Sequence, residues 1–397
     1  MPGPLQGIRV LDLTNVLAGP FCCHQLAHMG ADVIKVETPQ GGDLARQLGA
    51  DPALNEAGMG VSFLAQNAGK KSVTVNLKNA EGRALFLRLV ETADVLVENF
   101  RPGVMDRLMV GYEALKRVRP ELVYCAISGF GQDGPWVRRP AYDQIIQGIS
   151  GVMSVTGDAD STPMRVGYPV ADTVGGMTAA FAVAAALNAR PRGSFIDVSM
   201  LESVLTTMGW AVSNYLISGV PPAAHGNENP TSAPSGAFEA QGGLINIAAN
   251  KDEQWELLVR HLGLEDLLTR PEYANREARK TNRAALKAEL EVVLRTRPAQ
   301  DWAKELNGIG VPAGAVLSVP EVLATPQIAD RGFLSDFPDV PGIGRDIRLV
   351  TTGMKLDGRA CEVETPPPLL GQHNEEIWGM MGCSKEEIRR LKDEGAI

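Results

Sequence analysis

The chain has 397 residues, more than a single hydrophobic core usually supports, and its 38 Lys and Arg against 47 Asp and Glu leave a net charge of −9. That balance excludes general nucleic-acid binding, so an anionic ligand has to be held by local basic groups and helix N-termini. Five cysteines, an odd number without C-x-x-C spacing, exclude a disulfide framework and a thiolate zinc site.

The opening Met1-Pro2-Gly3-Pro4-Leu5-Gln6-Gly7 lacks the basic and apolar regions of a secretory signal, and no stretch reads as a bilayer span. A cytoplasmic protein with no membrane partner is therefore expected. Gly7 to Leu13 is a short apolar strand, followed by the loop 14–20 and a helix over 21–29 that Gly30 ends. Within that helix Cys22, Cys23, His24 and His28 invite a metal reading. Adjacent side chains diverge by about 100°, however, so these residues read as helix filler and no metal site is expected.

The alternation continues with strands over 31–37 and 72–76, a helix over 80–91, and strands over 94–98 and 122–127. Strands separated by helices of this length predict parallel βαβ units in an α/β fold with a Rossmann-like large domain. The loop after the first strand holds one glycine, so the dinucleotide fingerprint is missing, and no Walker A motif occurs. NAD and ATP are disfavoured.

A helix over 173–189 is almost wholly Ala, Val, Met and Phe, a composition that predicts burial on all sides. Asp172 stands at its entrance, with Gly175 and Gly176 close behind. A solitary Asp there is either an N-cap or a nucleophile, and the local pattern alone favours the cap. Residues 219–236 read as a linker and 237–249 as a hairpin turning at Gln241-Gly242-Gly243. Helices are expected near 253–262, over 282–294 with Thr281 as cap, and over 299–308. The resulting division is 1–220 for the first part of a large domain, 225–320 for a small α/β domain, and 325–397 for a segment returning to the large one.

Seven segments occur in one order: V-L-D-L-T-N-V-L-A-G-P, G-A-D-V-I-K-V-E, D-V-L-V-E-N-F-R-P-G, S-G-F-G-Q-D-G-P, the Y-D…S-G…T-G run from Tyr142, G-V-P-A-G-A-V and P-P-P-L-L-G-Q-H. Together they resemble the family III CoA-transferases, the CaiB/BaiF type, over essentially the whole chain. The resemblance implies a large domain built from both termini, an inserted small domain and two interlocked subunits. It also implies an acyl-CoA and a small carboxylic acid as partners, with coenzyme A as substrate and product and no permanently bound cofactor. It places the nucleophile at Asp172 and CoA contacts at Val16, Leu17, Ala18, Thr38, Val75 to Lys78, Asn99, Phe100, Arg101, Arg107 and Arg139 to Tyr142. Leu17 and Thr38 stand where the family often has Gln and Arg. The glycine-run loop of the formyl-CoA enzymes is missing, with Ala233-Pro234-Ser235-Gly236 its nearest counterpart. Those departures argue against formate and oxalate, while G-I-S-G-V-M-S-V-T-G, P-P-P-L-L-G-Q-H and the missing glycine run look closer to the branch using succinyl-CoA with dicarboxylic acids.

The chemistry fits these residues. An ionised Asp172 can attack a thioester to give a mixed anhydride, and the expelled thiolate can return to form an aspartyl-CoA thioester. Free N–H groups at the helix start would favour the anion and hold the oxyanion, and Gly175 and Gly176 would admit the thioester. Tyr142 is a candidate for orienting the substrate, Arg107 for a phosphate, and Asp143 for fastening a loop. Lys70, Lys71 and Lys78 are solvated surface or phosphate ligands, while His225 and His373 are given no role. An α-methylacyl-CoA racemase of the same fold would need a His in the Ala141-Tyr142-Asp143 segment. A non-catalytic acyl-CoA-binding protein would have no need of Asp172.

Overall fold

The computed structural model describes residues 3–397. Six strands, β1 (Arg9–Asp12), β2 (Asp32–Glu37), β3 (Lys70–Thr74), β4 (Val95–Glu98), β5 (Val123–Ser128) and β6 (Ser194–Ser199), form one parallel sheet in the order β3-β2-β1-β4-β5-β6. The central strands β1, β4 and β5 are mostly buried apolar residues because helices cover both faces, whereas β2 and β3 bury Lys35 and Lys70 among theirs. One face carries α1 (Ala18–His28), and the other packs Phe86 and Leu89 of α2 (Ala80–Val90) over Leu11, Ile34 and Leu96. The strand order reverses between β1 and β4. At such a switch point the loops leaving the carboxyl ends of the strands diverge and open a crevice.

Downstream come α3 (Asp143–Ile149), α4 (Val170–Asn188), α5 (Met200–Thr207) and α6 (Gly209–Ser218). Helix α4 begins three residues before the predicted start, so Asp172 lies inside its first turn. Contrary to the sequence reading, α4 is long and apolar enough to cross a membrane. It packs instead on α1, α5 and the sheet through Ala179, Ala180, Val183 and Leu187. Burial on all sides is also corrected: Met177 is exposed, and so is Phe181, at 75%.

Strand β3 starts at Lys70, two residues before the expected position. Lys70 is not surface but fully buried, its Nζ 2.8 Å from Asp12 Oδ2 and 3.0 Å from the Pro20 carbonyl. The outer edge of β3 is covered by the Pro-rich C-terminal motif. Ser72 N–H donates to His373 Nδ1, the His373 N–H to the Ser72 carbonyl, and Thr74 N–H to Asn374 Oδ1. His373, given no role from sequence, thus blunts an edge that would otherwise offer free N–H and C=O groups.

The chain divides into two compact units, one comprising residues up to Val152, Arg165–Val220 and Pro326–Ile397, the other Met153–Met164 and Pro221–Thr325. The second has its own core of Trp255, Leu258, Leu286, Leu290, Trp302 and Leu306. Its three-stranded antiparallel sheet comprises β7 (Ser235–Ala240), β8 (Gly243–Ala248) and β9 (Ala313–Ala315). Thr281 does not cap the helix that follows. It closes the short helix Arg276–Thr281, and Asn282 precedes Arg283–Leu294.

Candidate functional site

The site rests on the loops at the switch point. Residues 14–17 leave β1 over a floor of buried charge: Lys35 Nζ lies 2.9 Å from Asp43 Oδ2 and donates to the Thr14 carbonyl at 2.9 Å. Burial would raise the Asp12 carboxyl, but Lys35 and Lys70 outweigh it and hold it at about 2. Asp43 accepts the Val16 N–H at 2.9 Å. Val16 has a φ of 66°, unfavourable for a β-branched residue, and that bond secures it there.

Asn99, just past β4, reaches across the switch point. Its side-chain oxygen accepts the Asn15 N–H and its amide donates to the Asn15 carbonyl, both at 2.8 Å. The amide is thereby committed to the loop, which makes Asn99 a clamp on Val16 and Leu17.

Two cavities open here and share Asn15 and Phe100 as lining. The inner one, about 360 Å³, is lined by Val16, Leu17, Ala18, Asn99, Phe100, Arg101, Arg139, Tyr142, Asp172 and Met200, among others. The outer one, about 640 Å³, is lined by Thr38, Val75, Lys78, Phe100 and Arg107, with others. The structure therefore places Asp172 and every expected CoA contact except Pro140 on these two adjoining cavities, whereas Lys70 and Lys71 line neither. Among the described residues Lys78, Arg101, Arg107 and Arg139 form no ion pair, although 25 such contacts occur elsewhere. On a chain of net charge −9 this leaves a local row of unneutralised cations, suited to phosphate oxygens. No histidine lines either cavity.

Asp172 does not cap its helix. The N-cap is Pro169, and no side chain of α4 itself caps the end. The cap comes from α3: Asp143 Oδ1 accepts the N–H of Ala171 at 2.8 Å and that of Asp172 at 3.4 Å. Gln147, fully buried, donates to Asp143 Oδ2 at 2.7 Å. The helix-start donors expected to stabilise the Asp172 anion are thus taken, and the expectation is reversed. Burial, then the Asp143 charge, pushes the Asp172 carboxyl from 3.8 up to about 7. Among the described residues no hydrogen bond or ion pair reaches its carboxylate oxygens. Sequence reasoning gave Asp143 only a loop, because a cap supplied by another helix leaves no local signature.

Gly175 and Gly176 also serve a different purpose from the one expected. A Cβ at Gly176 would strike the Ala18 carbonyl and the Phe21 ring, and one at Gly175 would crowd Met200. The glycines let α4 lie close against α1 and Met200, which draws the first turn of α1 toward Asp172. That turn has no side-chain cap, so its leading N–H groups are left for a ligand. Tyr142, at the start of α3, is 65% exposed at the cavity mouth. Among the described residues no group of three or more His, Cys, Asp or Glu could hold a metal ion.

The family model of CoA-transferase family III matches residues 5–374. The chain belongs to CoA-transferase family III. An acetyl-CoA:oxalate CoA-transferase from Acetobacter aceti is 42% identical over 84% of this chain and 85% of its own. A succinate–glutarate CoA-transferase from Agrobacterium fabrum is 38% identical over 94% of each. The crystal structure of a CaiB/BaiF family protein from Brucella suis superposes with a TM-score of 0.83 at 34% identity, covering 96% of this chain and all of that one. As a family III CoA-transferase the protein is an enzyme with coenzyme A as a substrate, and the cleft over the switch point is the place in its large unit where unpaired cations and an unpartnered carboxylate meet.

Proposed function

We propose that this CoA-transferase moves CoA from succinyl-CoA, or a similar acyl-CoA, to a small dicarboxylic acid by way of a thioester on Asp172. The observation that carries the reading is a half-buried carboxylate without a protein partner, facing a cavity that opens into a cationic cleft. Lys78 and Arg107 in the outer cavity hold the nucleotide phosphates. Val75 and Phe100 line the path of the pantetheine arm, and Thr38 borders the nucleotide end.

A carboxylate oxygen of Asp172 attacks the acyl carbon, the C–S bond breaks, and CoA leaves as thiolate from a mixed anhydride. The thiolate then attacks the Asp172 carbonyl carbon, the C–O bond breaks, and the donor acid departs as its carboxylate. The acceptor acid runs the same steps in reverse. N–H groups of the first turn of α1, at Ala18, supply oxyanion donors, since those of α4 are taken by Asp143. Arg101, Arg139 and Tyr142 orient the acceptor carboxylate. The names of the relatives support an acidic acceptor, with both oxalate and glutarate represented, so the expectation against oxalate is left to assay.

The test combines mutation with mass measurement. Asp172→Ala should lower transfer by at least about 10³-fold while acyl-CoA binding persists. Wild-type protein quenched with succinyl-CoA should carry the mass of CoA at Asp172, and hydroxylamine should capture that residue. Succinyl-CoA offered with oxalate, glutarate, citramalate and itaconate then identifies the acceptor. Activity surviving in Asp172→Ala, or label on a cysteine, defeats the proposal.

We also propose that the chain works as a homodimer. Trp210, Leu216 and Ile217 of α6 are 88%, 74% and 86% exposed, more apolar surface than a lone subunit ordinarily shows on one helix.

A further inference from the structure

We propose that Asp143 is the positioning residue of the nucleophile: its carboxylate fixes the first turn of α4 and sets a like charge beside Asp172, so that turning Asp172 into a neutral thioester relieves repulsion. This rests on the reading of Asp172 as nucleophile and deepens it.

The geometry separates two tasks. Oδ1 accepts from Ala171 and Asp172, which ties the backbone of the nucleophile to α3 rather than to its own helix. Oδ2 accepts from Gln147, whose own side-chain oxygen takes the Val166 N–H at 2.9 Å and whose amide also reaches the Tyr168 carbonyl at 3.3 Å. Asp143 and Gln147 therefore pin both α4 and the segment leading into it. Both side chains are buried, so the arrangement has little freedom to relax.

Facing Asp143 are the Asp172 carboxyl from α4 and, from the lead-in segment, Arg165, whose Nη2 lies 3.8 Å from Oδ2. Arg165 is half exposed, so solvent screens much of its attraction. A capping carboxylate carries its charge to whatever group stands beside the helix start. Here it is placed where the neighbour must lose its charge.

The consequence concerns energy along the reaction. Ionised Asp172 beside Asp143 is a repelling pair in a poorly solvated place, and a more basic carboxylate is a stronger nucleophile. When the C–S bond to CoA has formed, residue 172 carries no charge and the repulsion is gone. Asp143 itself forms no bond with substrate.

The test uses the whole protein and the rate at which succinyl-CoA places CoA on Asp172, measured by quenched mass spectrometry between pH 5.5 and 9. In wild type, the rate at pH 6 should be about one tenth of that at pH 8, because the nucleophile ionises near 7. Asp143→Asn keeps an oxygen for the cap but removes the charge. Its rate at pH 6 should climb toward that at pH 8, and its maximal rate should fall. Arg165→Met, at an exposed side chain, strips Asp143 of its counter-charge and should move the profile the opposite way. A wild-type profile in Asp143→Asn overturns the inference, because a purely structural cap would not move it. Should that variant fail to fold, Asp143→Ser, which keeps an oxygen for the cap without the charge, decides in its place, and a wild-type profile there overturns the inference equally. Wild-type protein that never carries CoA on Asp172 defeats the underlying nucleophile reading instead, a result distinct from either.

Discussion

At the residue scale the cleft depends on side chains that never need to touch a substrate. Asn99 is the clearest, since both halves of its amide are used on Asn15. Removing it leaves a backbone N–H and C=O of a half-buried loop without partners, a loss of about 1–3 kcal/mol. Val16, already in a left-handed conformation, then has only the Asp43 bond to hold it. Asn99→Ala should therefore lower kcat/KM by about tenfold while the CoA adduct on Asp172 still forms, because the loop drifts and the nucleophile does not. Steady-state kinetics and adduct mass on the same preparation check this. An unchanged kcat/KM would mean the loop holds its place unaided.

At the element scale α1 carries the sharpest consequence for stability. His24 and His28, one turn apart, are buried with ring centroids 4.2 Å apart, and among the described residues His24 Nδ1 and His28 Nε2 have no hydrogen-bond partner. Burial depresses both imidazoles, His24 well below the usual 6.5. In the unfolded chain each takes a proton near 6.5, whereas the folded protein resists. Below that pH the unfolded state binds more protons, so stability present above about 6.5 is lost as the pH falls. The slope is up to about 1.4 kcal/mol per pH unit for each ring. Asp172 and Glu98, both raised to about 7 by burial, act in the opposite sense over the same window, so the imidazole contribution is read by difference: between pH 8 and pH 5.5 the melting temperature should change less unfavourably in His24→Leu than in wild type. Carboxylates such as Asp12 enter only lower, near the unfolded value of 3.8.

The same scale shows what could be read in advance. β1, β2, β4 and β5 were legible because apolar runs between helix signals leave few alternatives, and the cleft residues followed from motifs on the loops after those strands. The start of β3 was not, because Lys70 looks like surface until Asp12, 58 residues earlier, is beside it. Nor was the trans cap on α4: Asp143 and Ala171 are 28 residues apart, and Asp172 looked like the cap because it was the nearest carboxylate. The C-terminal P-P-P-L-L-G-Q-H segment, read from sequence for its likeness to one branch of the family, also closes a sheet edge, a role its sequence did not show. In each case the deciding partner is distant in sequence, where periodicity and capping rules say nothing.

At the scale of the whole molecule the apolar surface has to be reconciled with a protein that carries substantial charge. The large unit exposes Phe181 on α4 and Trp210, Leu216 and Ile217 on α6, each more than 70% accessible. Fully burying side chains of this size is worth about 1.5–3 kcal/mol apiece, so covering them with a second copy offers a large driving force that a monomer forgoes. The charge of −9 per chain opposes that association at low ionic strength, which makes salt a useful second variable. Sedimentation of the wild type should give a dimer at micromolar concentration, held or strengthened as salt rises. Trp210→Asp combined with Ile217→Asp should shift it to monomer, because two carboxylates would have to be desolvated at the interface. A wild-type monomer, or a double variant that stays dimeric, would show that α6 is not the contact.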